Sequence, residues 1–239
     1  MPTSRSYRDS CGIARALDVV GERWALLVVR ELVLAPQRFS ELRHSLPHVS
    51  SNLLADRLRE LENNGVVRRG LAATEGQRVY ELTERGRKLE PILEALGNWG
   101  IDVPQPTPPV ALSATSVLIF LRGAARSDPA APPLNCRLEL DGRVWTVRLA
   151  SGRVQVEPGE PATAAVSLRT DPETFSALLT DPAKLASACA DGSAAVVGDL
   201  SAIGELLRAV SDPWPSGSDQ AAPDPDQRPG PAPKPTARR

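Results

Sequence analysis

The 239-residue chain is 41% hydrophobic and 24% charged, which is typical of a globular protein with one large or two ordinary domains and excludes a wholly disordered chain. Its net charge of −1 excludes a strongly basic protein, although residues 1–100 carry 15 basic against 13 acidic side chains and are the more basic part. Three widely spaced cysteines predict neither a disulfide framework nor a zinc site. With no signal peptide and no apolar run of about 20 residues, we expect a cytoplasmic protein without a membrane span.

Shifts in composition divide the chain into four parts. We expect a first domain at residues 8–101, a proline-rich linker at 102–110 and a second domain at 111–211. Residues 212–239 are rich in proline and lack any apolar period, so we expect a disordered tail there.

Apolar residues recur at helical spacing along the first domain. The first helix is predicted at residues 11–21 and the second at 22–35, before a proline. A third is predicted at residues 39–46, with Ser40 as its N-cap, and a fourth at 50–64, capped by Ser50 or Ser51. Three residues separate the third helix from the fourth, which is the short link of a helix-turn-helix.

A β-hairpin is predicted directly after the fourth helix. Residues 66–68 and 78–80 alternate between apolar and polar, and residues 74–77 between them favour a turn. A hairpin in this position is the wing of a winged helix-turn-helix domain. Thr83 begins a last helical segment, in which Pro91 predicts either a kink or a boundary between two abutting helices.

The fourth helix has two faces. Leu54, Leu58 and Leu61 form an apolar stripe that should bury it. The opposite face is polar, and most polar helix faces are only solvated. The tight link and the hairpin favour a DNA-reading face here, because such a helix inserts its N-terminal residues into the major groove.

On that hypothesis, the predicted DNA-binding residues fall into two groups. The residues expected at base edges are Asn52, Ala55 and Asp56. The residues expected at phosphates or close to them are Ser40, Arg43, Ser50, Ser51, Arg59, Arg69 and Arg78.

Several short motifs of the first domain occur together. They are Cys11 at the start of the first helix, GERW at 21–24, REL at 30–32, RFSEL at 38–42, NLL at 52–54, RLREL at 57–61 and YELT at 80–83. As a set they resemble the HxlR family of bacterial winged-helix regulators over about residues 8–100. The resemblance implies a homodimer, usually formed through the first and last helices, that regulates transcription by reading a pseudo-palindromic site in double-stranded DNA.

Cys11 has two interpretations. In several members of this family a cysteine near this position senses oxidants or electrophiles, and Arg8 and Arg15 could lower the pKa of the thiol here. The alternative is a small residue packed in the dimer interface. Because the first domain contains no second cysteine, a disulfide switch would need Cys11 of the other subunit.

The second domain is predicted to begin with an antiparallel meander of four strands in residues 134–169, with Asp141-Gly142 and Ser151-Gly152 as hairpin turns. Asp171 and Asp181, each followed by proline, predict the starts of two helices. A short strand at 193–197 and a helix capped by Asp199 follow. The predicted fold class is therefore α+β, with a winged helix-turn-helix domain before an α+β domain that contains an antiparallel sheet.

This order of elements resembles the sterol carrier protein type two fold over about residues 112–210. The resemblance implies a cavity whose ligand would be largely apolar, since the enclosing segments are rich in Val, Leu and Ala. A spacer or dimerisation domain with a solid core is the alternative. Candidate lining residues, each of which could equally be an ordinary core residue, are Phe120, Trp145, Phe175 and Leu178.

We find no nucleophile elbow, phosphate loop or cluster of metal ligands in the sequence. We therefore expect no enzyme activity, no catalytic residues and neither a cofactor nor a metal ion. The favoured hypothesis is a dimeric DNA-binding regulator modulated by an apolar small molecule in the second domain. Two alternatives remain: a hydrophobic-ligand carrier or sensor whose winged helix contacts proteins, and a redox-responsive regulator that acts through Cys11.

Overall fold

The computed structural model describes residues 6–72, 76–104, 112–125 and 132–211. The predicted tail at 212–239 and most of the predicted linker at 102–110 lie outside the described residues. None of the described helices combines the length and apolar character needed to cross a bilayer.

The N-terminal domain, residues 6–104 below, contains a helical core followed by a hairpin. Its helices are α1 (Gly12–Val20), α2 (Ala25–Leu32), α3 (Phe39–Ser45) and α4 (Ser51–Asn63), then α5 (Glu84–Arg87) and α6 (Glu90–Gly100). Strands β1 (Val67–Leu71) and β2 (Arg78–Leu82) pair antiparallel between α4 and α5. The predicted order of elements is confirmed, and Pro91 lies in the first turn of α6, so the last helical segment is two abutting helices.

The core of this domain forms around α4 as the leucine stripe predicted. Leu54, Leu58 and Leu61 are buried, and they belong to one apolar cluster with residues of α2 such as Val28 and Val29. Gln37, just before α3, exchanges two backbone hydrogen bonds with Tyr80 of β2, of 3.0 and 2.8 Å. This bridge fixes the hairpin against the start of α3, so the wing and the helix-turn-helix form one unit.

The C-terminal domain, residues 112–211 below, begins with α7 (Ala114–Ala124), a helix that the sequence analysis did not assign. Its strands are β3 (Leu134–Leu140), β4 (Arg143–Ala150), β5 (Arg153–Pro158), β6 (Val166–Thr170) and β7 (Ala194–Gly198). The remaining helices are α8 (Pro172–Thr180), α9 (Leu185–Asp191) and α10 (Leu200–Ser211), with a 3-10 turn before α9.

The prediction of an antiparallel meander was wrong at its fourth strand. The sheet order is β5-β4-β3-β6-β7, and β6 pairs with β3 in parallel, whereas the other pairings are antiparallel. Since β4 occupies one edge of β3, β6 takes the other edge after the chain crosses the sheet. Hairpin turns hold β3 to β4 and β4 to β5, and both residues of the first turn, Asp141 and Gly142, have positive φ, as a type I′ turn requires.

The two domains contact each other through α7 and the segment after α2. Helix α7 lies against α2 and α6 of the N-terminal domain and against α8 and β5 of its own. Ala35, between α2 and α3, is buried in the apolar core cluster of the C-terminal domain, and Leu34 packs against that cluster. The helix-turn-helix therefore shares a packed surface with the second domain.

Candidate nucleic-acid interface

The N-terminus of α4 is held by hydroxyl groups, as predicted. Ser50 is the N-cap, and its Oγ accepts a hydrogen bond from the Leu53 amide at 3.3 Å. Arg43, in the last turn of α3, donates from its guanidinium to the Ser51 hydroxyl. The arginine thus ties α3 to the first turn of α4, and both side chains lie on the exposed side of the helix-turn-helix.

The outward face of α4 carries the residues that were predicted to read bases. Asn52, Asp56 and Arg59 are exposed, and Ala55 is partly exposed between them. Arg59 donates to Asp56 one turn earlier at 2.7 Å, so these two charges form an exposed ion pair. Asn52, one turn before Asp56, is an exposed and uncharged side chain of this face and lies next to the turn that Ser50 caps.

The basic residues of the wing differ in how they are paired. Arg69 forms an ion pair with Glu62 of α4 at 2.9 Å and lies 5.8 Å from the centre of the Tyr80 ring, and the hydrogen bond to Glu62 raises the pKa of Arg69. Arg68 pairs with Glu81 at 2.9 Å. Arg78 is exposed and has no ion-pair partner among the residues that the structure describes. Arg78 is therefore the wing cation that is most available to a phosphate.

The start of α3 corrects one prediction and adds two residues. The N-cap is Arg38, and Ser40 lies one residue inside the helix, so the prediction that Ser40 caps α3 was wrong. The Glu41 carboxylate, at the third position of the helix, accepts a hydrogen bond from the amide of the N-cap residue Arg38 at 2.6 Å, which is the glutamate half of a capping box. Arg38 also donates to Gln77 of the wing at 2.7 Å. Sequence analysis missed Arg38 and Gln77, although glutamate three residues after a candidate N-cap is a known signal.

Cys11 is exposed at the N-cap position of α1. It makes no capping hydrogen bond of ordinary geometry, but the amides of Ile13 and Ala14 lie close enough to lower the pKa of its thiol. The cause is thus the backbone at the start of a helix. Arg8 and Arg15, which the sequence suggested, do not contribute to this shift.

The candidate lining residues of the C-terminal domain do not all lie together. Trp145, Phe175 and Leu178 are fully buried in its apolar core cluster. Phe120, on α7, is 43% exposed and lies outside that cluster. A separate, open depression on the other face of the sheet is polar, with Asn135, Thr146 and Arg148 in its lining.

Comparison with known proteins gives an independent view of both domains. The HxlR-like helix-turn-helix family matches residues 19–107, and the SCP-2 sterol transfer family matches residues 124–209. YvaP, an HTH-type transcriptional regulator of Bacillus subtilis, is 39% identical over 89 residues, which are 37% of this chain and 82% of YvaP. This chain belongs to the HxlR family.

Other HxlR-like relatives match the same part of the chain. YodB, an HTH-type transcriptional regulator of Bacillus subtilis, is 36% identical over 85 residues, which are 35% of this chain and 76% of YodB. The solved structure of reduced YodB covers 41% of this chain and 98% of its own, at 32% identity and a TM-score of 0.36. The HxlR-family regulator described here thus carries its DNA-binding helix-turn-helix in the first half and an SCP-2 domain in the second.

Proposed function

We propose that this HxlR-family regulator is a homodimer that reads a pseudo-palindromic operator with α4 and the wing. The observation that carries the proposal is the outward face of α4, where Asn52 and the turn capped by Ser50 are exposed, together with the exposed Arg78 of the wing, which has no ion-pair partner among the described residues. An asparagine amide can donate to and accept from adenine in the major groove, and the N-terminal amides of α4 suit a phosphate. Such a regulator works on the chromosome, which places it in the cytoplasm.

The apolar surface of α1 and α6 supports the homodimer. Helix α6 has no buried residue in the single chain, even though it is rich in apolar residues. Its Ile92, Leu96 and Trp99 are 53%, 46% and 71% exposed. Ile13 and Leu17 on α1 are exposed as well. We call these five residues the α1/α6 surface. An exposed apolar surface of this kind marks a protein interface, and a two-fold dimer would place two recognition helices on one duplex.

A gel shift with the DNA upstream of the gene, titrated with salt, tests DNA binding. Saturable binding that depends on sequence and weakens linearly in log affinity against log salt supports the proposal. Absence of binding at low salt would reject it and would favour a winged helix that contacts proteins instead.

Asn52 is tested against Asn63, an exposed asparagine in the last turn of the same helix. Asn52→Ala is expected to lose about 1–3 kcal/mol of discrimination at one base pair of each half-site, whereas Asn63→Ala should keep the wild-type preference. The measurement is binding to a library of single-base operator variants. Equal weakening on every sequence would mean that Asn52 reads no base.

We also propose that the C-terminal domain binds an apolar small molecule that modulates operator affinity. The match to the SCP-2 sterol transfer family supports this. Titration with a fluorescent fatty acid, followed by the gel shift at saturation, is the test. Probe binding without an effect on the operator favours a carrier, and no saturable probe binding favours a spacer domain.

Redox control through Cys11 is a second candidate, because this thiol is exposed and its pKa is lowered. Diamide, which oxidises two thiols to a disulfide, could join Cys11 to its equivalent in the other subunit. The expected result is that diamide changes operator binding of the wild type and not of Cys11→Ser. A response that persists in Cys11→Ser would reject this candidate.

A further inference from the structure

Helix α7 belongs to the core of one domain and makes polar contacts with the other. Val117, Leu118 and Leu121 lie in the buried cluster of the C-terminal domain. The two ends of the helix contact α2 and α6 of the N-terminal domain through side chains that are not part of this apolar core. A helix placed in this way moves only if both domains adjust, because packed interiors transmit displacement instead of absorbing it.

The first contact joins the start of α7 to a buried carboxylate on α2. Glu31 is 0% exposed, and its Oε1 accepts hydrogen bonds from the Ser113 hydroxyl at 2.7 Å and from Nε of Arg30 at 2.9 Å. The Ser113 hydroxyl also accepts from the Ser116 amide at 3.1 Å and so caps α7. The Ser113 hydroxyl therefore caps the N-terminus of α7 and at the same time donates a hydrogen bond to a buried carboxylate of the N-terminal domain.

Removing Ser113 while Glu31 remains should cost much stability. The other carboxylate oxygen of Glu31, Oε2, has no hydrogen-bond partner within the described ranges. Loss of Ser113 would leave Arg30 as the one hydrogen-bond donor to this carboxylate among the described residues. A buried charged group that loses a hydrogen-bond partner is strongly destabilised. The start of α7 is thus held in a fixed place against α2.

The second contact joins the last turn of α7 to α6. Arg122 is mostly buried and forms ion pairs with Glu90 at 2.5 Å and Glu94 at 3.3 Å, two residues on successive turns of α6. A guanidinium that bridges two carboxylates fixes both the distance and the rotation between the helices. Helix α6 also carries Ile92, Leu96 and Trp99 of the α1/α6 surface.

A third region of contact lies beside α3. Ala35 is buried in the C-terminal core, and Arg143, at the start of β4, lies near Glu41 of α3. Burial lowers the pKa of Arg143, while the charges of Glu41 and Glu31 oppose that shift. The segment between α2 and α3 is therefore held by the C-terminal domain as well.

We propose that α7 is a coupling helix, through which the packing of the C-terminal core sets the positions of α2 and α6 and thereby the affinity for the operator. A change at Leu118 or Leu121, whether from a ligand or from repacking, would shift the helix ends at Ser113 and Arg122 together. The shift at α2 acts on the helix-turn-helix, and the shift at α6 acts on the dimer and hence on the distance between the two recognition helices. This inference rests on the proposed function.

The test compares variants of the full chain by hydrogen–deuterium exchange and by operator binding. Ser113→Ala should speed exchange in α2, and Arg122→Ala should speed it in α6. Each should weaken operator binding about tenfold, the size of an ordinary coupling between two sites. Glu31→Leu removes the acceptor of the Ser113 hydroxyl without removing the α7 cap, so it should reproduce the effect of Ser113→Ala on operator binding.

Two controls keep the changes matched. Ser116→Ala alters the same turn of α7, and Arg137→Ala removes ion pairs with Glu139 and Glu160 that lie within the C-terminal domain. Both should leave exchange in α2 and α6 and the operator affinity as in the wild type. If Arg122→Ala does not fold, Arg122→Lys and the pair Glu90→Gln with Glu94→Gln give the same comparison with smaller changes.

The outcomes separate the coupling helix from the proposed function. If the wild type binds its operator and the Ser113 and Arg122 variants match it in exchange and in affinity, the coupling helix is wrong and the DNA-binding proposal stands. If the wild type binds no DNA, the proposed function fails. Exchange in α2 and α6 then still decides whether α7 couples the domains, because unchanged exchange would reject that too.

Discussion

The two domains differ in where they leave their apolar side chains. Among the described residues, ten large hydrophobic residues are exposed in the N-terminal domain and four in the C-terminal domain. The C-terminal domain buries Trp145 and Phe175 completely, whereas its Phe120 is exposed. Both domains have a buried core, but the N-terminal domain has the exposed α1/α6 surface in addition.

On the proposed function, the two domains act in different ways. The α1/α6 surface and the polar face of α4 both point away from the N-terminal core. On the proposed function, the first would contact a second copy and the other would contact DNA. The large apolar side chains of the C-terminal domain mostly face inward. On the proposed coupling, this domain therefore affects DNA binding through contacts such as those of α7. The predictions below compare one domain with the other.

The largest effect is expected at the closed core. Phe175→Ala should lower the free energy of unfolding by about 3–5 kcal/mol, because it removes a fully buried aromatic ring and leaves a cavity. Phe120→Ala, the exposed aromatic of the same domain, should change it by about 0.5 kcal/mol or less. Urea unfolding of both variants is the measurement, and equal losses would mean that Phe175 does not close a core.

Substitutions in the α1/α6 surface should weaken the association of two subunits and should change the stability of the fold little. Trp99→Ala is expected to weaken the homodimer by about 2 kcal/mol for each subunit, as for a tryptophan that is buried in an interface. Leu200→Ala, which removes an exposed leucine of the C-terminal domain, should leave the dimer unchanged. Sedimentation equilibrium reports both, and a Trp99→Ala dimer as tight as the wild type would exclude α6 from the interface.

Local signals in the sequence predicted most of the fold. The leucine stripe of α4 and the caps at Ser50 and Asp171 depend on near neighbours, and each is present. Two features depend on distant partners and were missed. Strand β6 pairs in parallel with β3, which the alternation of its own residues cannot reveal. Helix α7 was not assigned, and its buried residues pack into a cluster formed largely by later strands and helices.

Some features of the candidate site could likewise be predicted from near neighbours in the sequence, and others could not. The exposure of Asn52 and Arg59 follows from the helical period, and so does the Arg59–Asp56 pair three residues apart. Which wing arginine is neutralised does not follow, because Glu62 reaches Arg69 from another element. The lowered pKa of Cys11 was anticipated, but its cause lies in backbone amides that only the folded helix positions.

The salt dependence of operator affinity should respond to arginines of the wing and not to an arginine of the C-terminal domain. Arg78→Ala should weaken binding to every sequence and reduce the slope of log affinity against log salt by about 1 for each subunit. Arg69→Ala should change this slope less, because Glu62 already neutralises the charge of Arg69. Arg148→Ala, an exposed arginine of the C-terminal sheet, should not change it. A slope that is unchanged in Arg78→Ala would remove the residue from the interface.

The smallest expected effect lies where the two domains meet, at Glu41. Partial burial disfavours its charge, but the hydrogen bonds from Arg38 and the nearby charge of Arg143 outweigh burial and lower the pKa of Glu41. A carboxyl with a lowered folded-state pKa stabilises the fold above its ordinary pKa of about 4.3, and this contribution is lost as pH falls through the lower value. Glu41→Gln should therefore cost about 0.5 kcal/mol at pH 7 and less at pH 3.

Arg143→Ala shows whether the C-terminal domain takes part in this effect. If the guanidinium on β4 helps to hold the charge of Glu41, the cost of Glu41→Gln at pH 7 should be smaller in the Arg143→Ala background, and urea unfolding of the four variants measures the difference. If the cost is the same in both backgrounds, Arg38 alone stabilises the carboxylate. The start of α3 would then belong to the N-terminal domain, and the contact between the domains would narrow to α7 and the segment around Ala35.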